Sequence, residues 1–358
     1  MSKFKYNTRP FLINGLVFLV FSLIWIGCDK GEKKITINRD YIQFSDHQIS
    51  SKQWVFDKKN NDLYFSEGKY IKKVNVSDSQ ISKVFNTNME LVSFNRLENG
   101  LTAVSQGHSS NVFIITENGE TFKANSDERY YNINPWKSPI LHYDKYLSAT
   151  RFPRNVQRLD VPEQKTEFII SITDSTDCIS YKVYPRSYYS KDFHLIGLEY
   201  SKSNDKDKLY FSFPCDHSIS IFKQGSKIDS IYAPSKFLVN YNFPEFNESS
   251  EDYIQSKIDY VTTTGRYGKL VFLEKYNCLA RIVINPQQFK TKDGFTDSQT
   301  NSMSIQIIDL DSEELYEYRL NEKYKYSTLI PYEKGVLLQN ENNKPKTVFS
   351  YLDFSKLM

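Results

Sequence analysis

The feature that most constrains this chain is repetition. From residue 35 onward, short stretches of alternating apolar and polar side chains, rich in Tyr, Phe, Ile and Val, are separated by Asn, Asp, Ser and Gly turns. A period of two puts successive side chains on opposite faces of a strand, and helical periodicity is scarce, so the pattern predicts an all-β body. A hairpin recurs at Tyr70 to Val76 with Gln80 to Phe85, Asn111 to Thr116 with Thr121 to Lys123, Val156 to Asp160 with Thr166 to Ile170, Ser218 to Phe222 with Lys227 to Tyr232, and Ser304 to Leu310 with Leu315 to Leu320. Polar turns such as Ser77-Asp78-Ser79 and Gln224-Gly225-Ser226 join the arms. A second strand pair precedes each hairpin: Trp54 to Phe56 with Leu63 to Phe65, Val92 to Phe94 with Leu101 to Val104, Ile140 to Tyr143 with Tyr146 to Ala149, Ile196 to Tyr200 with Leu209 to Phe213, and Leu270 to Leu273 with Ala280 to Ile284. The unit therefore has four strands. Steps of 40 residues from Asp78 to Asn118 and 43 from Asp311 to Phe354 are the size of a propeller blade.

A sixth unit, Ser327 to Ile330, Val336 to Gln339 and Thr347 to Phe354, is followed only by Ser355 to Met358 and lacks its fourth strand. The strand Lys34 to Asn38, ahead of the first unit, has no partner of its own. One supplies what the other lacks. The expected fold is an all-β six-bladed propeller over residues 34–358, closed by the N-terminal strand completing the last blade, which removes the open edges of a stack of sheets. A pair of packed sheets would satisfy the same alternation but leave that match unexplained.

Lys3, Lys5 and Arg9 precede an apolar run from Phe11 to Gly27, with no acidic residue before Asp29. This is the layout of an export signal, and the run is too short for a comfortable membrane span of roughly 30 Å. Residues 1–27 are expected to be the signal peptide and 28–33 a solvated tether. Removing the signal takes away three positive charges and no negative ones, leaving a body with no formal net charge. A neutral body lacks the basic stripe that nucleic acid demands.

Trp25-Ile26-Gly27-Cys28 resembles the bacterial lipobox, in which a small residue precedes a cysteine that is diacylated on sulfur before cleavage. An uncleaved N-terminal anchor is the alternative, and either places the body outside the cytoplasm at a membrane. With Cys28, the strand run Lys269 to Ile284 containing Arg281, the Ser304 to Asp309 strand with its Glu317 partner strand, and the shortened last unit, the chain resembles the TolB-like six-bladed β-propeller lipoproteins, a largely uncharacterised group common in Bacteroidota. The resemblance implies a cell-envelope propeller anchored through lipid at Cys28, of unknown ligand.

In a propeller the b-to-c loops and d-to-a connections leave one face, and the a-to-b and c-to-d turns leave the other. The assigned strands put the long segments Ser171 to Phe193, Ala233 to Tyr267 and Asn285 to Met303 on the first of these faces, with aromatics that include Tyr184, Tyr188, Phe237, Tyr241 and Phe289. Such loops serve recognition or simply pack down on the rim. Ligand-binding candidates at the same mouth are Gln106, His108, Arg151, Arg154, Asp216 and His217, with Arg281 on its strand. Planar arginine forks suit a carboxylate, phosphate or acidic sugar, and Asp216 beside His217 suits an oriented imidazole. Bonding to neighbouring loops would use the same groups equally well.

Cys178, Cys215 and Cys278 allow at most one disulfide, and without a CxxC pair they offer no zinc site. The five histidines have no metal-ligand spacing, and no catalytic motif is present, so neither cofactor nor metal is expected. The acidic turn at Asp309, Asp311, Glu313 and Glu314 reads as solvated. The function expected is a membrane-anchored extracytoplasmic binding or scaffold protein that uses its aromatic-rich loop face to engage an envelope protein, peptide or glycan. The alternative is an exported hydrolase or lyase with its site at the central mouth.

Overall fold

In a computed structural model of the chain, the residues described are 34–44, 49, 53–87, 91–97, 100–106, 111–116, 118–126, 130–132, 140–143, 146–153, 166–171, 178–188, 200–238, 250–253, 255–256, 260, 264–285, 302–321, 323–325, 327–341 and 346–358. They form six antiparallel sheets arranged as a six-bladed propeller. The first strand, β1 (Thr36–Phe44), belongs to the last sheet. Blade 1 is β2 (Trp54–Asp57), β3 (Asp62–Glu67), β4 (Tyr70–Asn75) and β5 (Ile81–Asn86). Blade 2 is β6 (Leu91–Arg96), β7 (Thr102–Gln106), β8 (Asn111–Ile115) and β9 (Thr121–Ser126). Blade 3 has five strands: β10 (Tyr130–Asn132), β11 (Leu141–Tyr143), β12 (Tyr146–Pro153), β13 (Thr166–Ser171) and β14 (Cys178–Lys182). Blade 4 is β15 (Ser201–Asn204), β16 (Leu209–Ser212), β17 (Ser218–Lys223) and β18 (Ser226–Tyr232). Blade 5 is β19 (Arg266–Leu273), β20 (Cys278–Asn285), β21 (Ser302–Asp309) and β22 (Leu315–Leu320). Blade 6 is β23 (Ile330–Tyr332), β24 (Gly335–Gln339), β25 (Thr347–Asp353) and, outermost, β1.

The closure is the one the repeat predicts. β1 lies antiparallel to β25, pairing Thr36 with Asp353, Asn38 with Tyr351 and Phe44 with Thr347, with a register shift between Asn38 and Ile42. Asp40 takes a positive φ of 48° in that bulge, a conformation Asp tolerates better than most side chains.

Apolar burial follows the blade boundaries. Each of six hydrophobic clusters lies between two neighbouring sheets, for example Tyr64 and Ile71 of blade 1 against Phe94 and Val104 of blade 2, and Ile42, Phe44 and Phe349 of blade 6 against Trp54 and Phe65 of blade 1. The middle strands are therefore covered on both faces, and every residue of β20 and of β24 is buried. Outer strands face water, so β18 is exposed at five of its first five positions.

The inner strands are held differently. Their unpaired inner edges are bonded by side chains of the adjacent blade: Gln53 Nε2 donates to Phe94 O (2.5 Å), Ile140 N to Ser93 Oγ (3.1 Å), Asn204 Nδ2 to His142 O (2.8 Å), Leu270 N to Ser201 Oγ (2.9 Å), Phe272 N to Ser203 Oγ (2.8 Å) and Lys269 Nζ to Ser327 O (3.2 Å). Polar side chains on or next to strand a thus serve as rungs between successive blades from 1 to 6.

This explains one departure from the predicted strands. The first strand of blade 4 is the polar Ser201–Asn204, selected by hydrogen bonding to the next blade rather than by apolar burial; of the expected Ile196 to Tyr200, only Tyr200 lies within the described residues, and it precedes the strand. In blade 3, Thr166–Ser171 is the third strand rather than the fourth: it pairs with the long β12 from Tyr146↔Ser171 to Arg151↔Thr166, and Cys178–Lys182 forms the outer edge. The stretch Val156 to Asp160 lies outside the described residues. Part of the supposed loop Ser171 to Phe193 is therefore strand. The expected signal peptide and tether, residues 1–27 and 28–33, also lie outside the described residues. Among the described residues no helix is long and apolar enough to cross a membrane.

Candidate functional site

The antiparallel connections give the ring two unlike faces. The a-to-b and c-to-d turns form a turn face, and the b-to-c and d-to-a connections a loop face. A cavity of about 840 Å³ opens at the turn face, where a-to-b turns converge. Its wall is made by Phe56 and Lys58 of blade 1, His142 and Tyr146 of blade 3, Asn204 to Asp207 with Lys223 and Gln224 of blade 4, Phe272 to Lys275 of blade 5, and Pro331 to Glu333 of blade 6. A pocket of this size admits a ligand of several linked units.

The wall carries four lysines, 58, 206, 223 and 275, and four carboxylates, at Asp205, Asp207, Glu274 and Glu333. Some are already engaged. Lys223 pairs with Asp207 at 2.6 Å in a solvated geometry of small energetic weight. Asp205 accepts from Asp207 N (2.9 Å), Lys208 N (2.8 Å) and the Tyr210 hydroxyl (2.5 Å), which folds the blade 4 turn. Burial, then the Asp205 bond, pushes the Tyr210 hydroxyl up, so it stays a donor. Among the described residues, the amines of Lys58, Lys206 and Lys275 have no hydrogen-bond or ion-pair partner. Between the charges stand the half-buried rings of Phe56, Tyr146 and Phe272. Phe56 lies 4.7 Å from Tyr332, and Phe272 stacks on Tyr210 at 6.0 Å, so these platforms are fixed from behind.

The residues singled out in the sequence lie elsewhere. Gln106 and Arg151 sit on β7 and β12 at their loop-face ends, while His108 and Arg154 fall outside the described residues. Asp216, His217 and Arg281 do come together, at the boundary of blades 4 and 5. Arg281 is fully buried, its guanidinium 3.6 Å from the Tyr267 ring, with Nε and Nη2 donating to Gln306 Oε1 at 2.9 and 2.7 Å and Nη2 also to Ala233 O. His217 Nδ1 is 2.6 Å from the Tyr267 hydroxyl, and burial with the nearby Arg281 charge lowers its pKa. Asp216 accepts from Ser218 N at 2.8 Å and closes its own turn. Glu317 accepts from Ser235 Oγ (2.6 Å) and Lys236 N (2.7 Å), strapping the start of the segment 233–267 onto blade 5. None of these groups lines the cavity.

A second polar island lies between blades 3 and 4. Glu167, wholly buried, accepts from Ser148 Oγ (2.5 Å), Thr150 Oγ1 (2.8 Å) and Tyr200 Oη (2.7 Å) and pairs with the equally buried Lys202. Every partner is internal, which suits a device that fixes how two blades meet. Of the loop aromatics, Tyr184 and Tyr188 are core residues packed on Tyr200 and Phe213, and Phe237 stacks under Arg319. Tyr241 and Phe289 lie outside the described residues. Cys178, Cys215 and Cys278 form no disulfide with one another, and Cys215 Sγ lies 3.2 Å from the Tyr260 hydroxyl. Asp309 and Asp311 bond within their turn and to Asn277.

The turn-face cavity itself was not visible in the sequence. Its residues are scattered among turns that look merely solvated, and only the recurrence of Lys and acid at successive a-to-b turns hints at a common mouth.

No family model and no curated protein matches the chain. Among solved structures, a member of the DUF4221 family from Bacteroides vulgatus is similar over 89% of this chain and 96% of its own, with 14% identity and a TM-score of 0.63. A luciferin-regenerating enzyme (10% identity, TM-score 0.47, 89% of this chain and 95% of that one) and a streptogramin B lyase (9%, 0.46, 89% and 98%) are more distant. At these identities the likeness concerns the fold.

Proposed function

We propose that the chain is a lipid-anchored extracytoplasmic binding module, and that its cavity at the turn face takes a short peptide or peptide-like ligand carrying charge of both signs. The observation that carries this reading is the cavity wall. Unpartnered amines at Lys58, Lys206 and Lys275 are available to a carboxylate, the exposed carboxylates of Glu274 and Glu333 to an amine, and Phe56 and Phe272 to apolar side chains. The rigid ring holds these groups in place before the ligand arrives, which lowers the ordering cost of binding. The signal-like N-terminus and Cys28 support the anchor, and replacing Cys28 by Ala is expected to abolish fatty-acid labelling.

A hydrolase or lyase would draw on His217 meeting Tyr267 and Arg281 across two blades. Those groups bond to one another and to backbone, and are better suited to fastening blade 4 to blade 5.

The test is calorimetric titration of a library of short zwitterionic peptides. Lys206→Glu with Lys275→Glu is expected to weaken the best binder by about tenfold or more, since two exposed charge contacts of about 0.7 kcal/mol each sum to about 1.4 kcal/mol. His217→Ala is expected to leave it unchanged. Binding that survives the charge reversal but fails in His217→Ala would move the site to the loop face.

A further inference from the structure

The position of the N-terminus relative to the cavity has a consequence for how the ring sits on a membrane. Thr36 pairs with Asp353, and Asp353 pairs on its other side with Gly335. Gly335 closes the turn Glu333-Lys334, whose other arm ends at Tyr332 in the cavity wall. The chain therefore enters the ring at the turn face, in the same row as the cavity mouth, and β1 then runs to the loop face, where Phe44 meets Thr347.

Lengths decide the orientation. From Cys28 to Thr36 is eight residues, about 28 Å when fully extended. A nine-residue strand such as β1 covers about 30 Å. A tether of that reach rooted at the turn face is used up in merely passing along the blade to the loop face, and cannot also turn the ring over.

We propose that the turn face lies against the headgroup layer of the membrane holding the anchor, so that the cavity opens toward lipid and Lys58, Lys206 and Lys275 face its phosphates. This rests on the anchored-module reading and adds to it that a ligand reaches the cavity along the membrane. The three amines are exposed, come from blades 1, 4 and 5, and lack partners among the described residues, so they can engage phosphate without first breaking an ion pair. At the mouth Asp205 is held by the Tyr210 hydroxyl and Asp207 by Lys223, so these three amines face two exposed carboxylates, Glu274 and Glu333, while the acidic turns at Asp78, Glu120 and Asp311 belong to c-to-d connections.

The experiment uses the full-length lipidated chain in vesicles of phosphatidylethanolamine and phosphatidylglycerol with a nitroxide on a fraction of the headgroups. Tryptophan is placed at Lys334→Trp (turn face, blade 6), Glu120→Trp (turn face, blade 2) or Lys69→Trp (loop face), each read against the parent chain. Strong quenching of the two turn-face positions and little at Lys69→Trp is expected. A chain that does not float with the vesicles defeats the anchored-module reading and this inference together. A chain that floats with Lys69→Trp quenched as much as Glu120→Trp defeats the inference alone, as does a ring on its side, which would quench Lys334→Trp and spare Glu120→Trp. Combining Lys58→Gln, Lys206→Gln and Lys275→Gln is expected to reduce quenching at Glu120→Trp. No change there would overturn the part assigned to the lysines.

Discussion

Lys269 shows how a single side chain in this ring can be legible as a residue and illegible as a role. It lies on the innermost strand of blade 5, donates to Ser327 O, and burial lowers its pKa to about 8. A lysine whose pKa is lower folded than unfolded opposes folding while both states are protonated, below about pH 8, and the penalty fades as pH rises toward the unfolded value of 10.5. Lys269→Met is therefore expected to be more stable than the parent at pH 7, by on the order of 2 kcal/mol less the lost hydrogen bond, with the gap closing toward pH 10.5. Thermal melts across that range check it, and a gap independent of pH would refute the assignment. The same logic explains the misplaced first strand of blade 4. Ser201-Lys202-Ser203-Asn204 has the composition of a turn, yet Ser201 and Ser203 bond the inner edge of blade 5 while Lys202 is buried on Glu167. Polar residues chosen for rungs between blades look like solvated residues until the neighbouring blade is present.

At the scale of strands, most of the fold could be read, because alternation, turn chemistry and repeat length all report the same four-strand unit. The spare strand and the unfinished sixth unit specified the closure, and the register from Thr36 to Phe44 bears it out. Blade 3 failed for a physical reason: β12, at eight residues, outruns the corresponding second strands β7 (five) and β16 (four) and carries both β10 and β11 on one side, so counting strands forward from Ile140 slipped by one. Blade 6 offers the sharpest packing test. A methyl group at Gly335 would stand 1.7 Å from Leu352 O, in the row that also holds Asp353 and Thr36. All three of the nearest atoms are β25 backbone, so there is no side chain to move aside. Gly335→Ala is expected to cost ~3 kcal/mol or more by denaturant unfolding, whereas Gly119→Ala, with nothing within 4 Å but a positive φ of 83°, should cost less. Equal stabilities would show that β24 and β25 do not approach as described.

At the scale of the whole molecule, stability and function are divided between directions. Around the ring, six apolar interfaces and a ladder of side-chain bonds hold the blades, so no one core dominates. Along the axis, the turn face holds the cavity and the incoming chain, while His217 and Arg281, on the loop side, are taken up in joining blade 4 to blade 5. The candidate site was hidden from the sequence because it belongs to no segment: five a-to-b turns and the c-to-d turn of blade 4, each unremarkable alone, acquire a shared mouth only when the circle closes. The central claim is that this mouth, and not the loop face, receives the ligand. Hydrogen exchange on the full-length chain, with and without the tightest-binding peptide, tests it most directly. Slowed exchange at residues 58–61, 205–208, 273–277 and 331–334, with 216–218 and 233–238 unchanged, is the result predicted. Protection confined to 216–218 and 233–238 would contradict it.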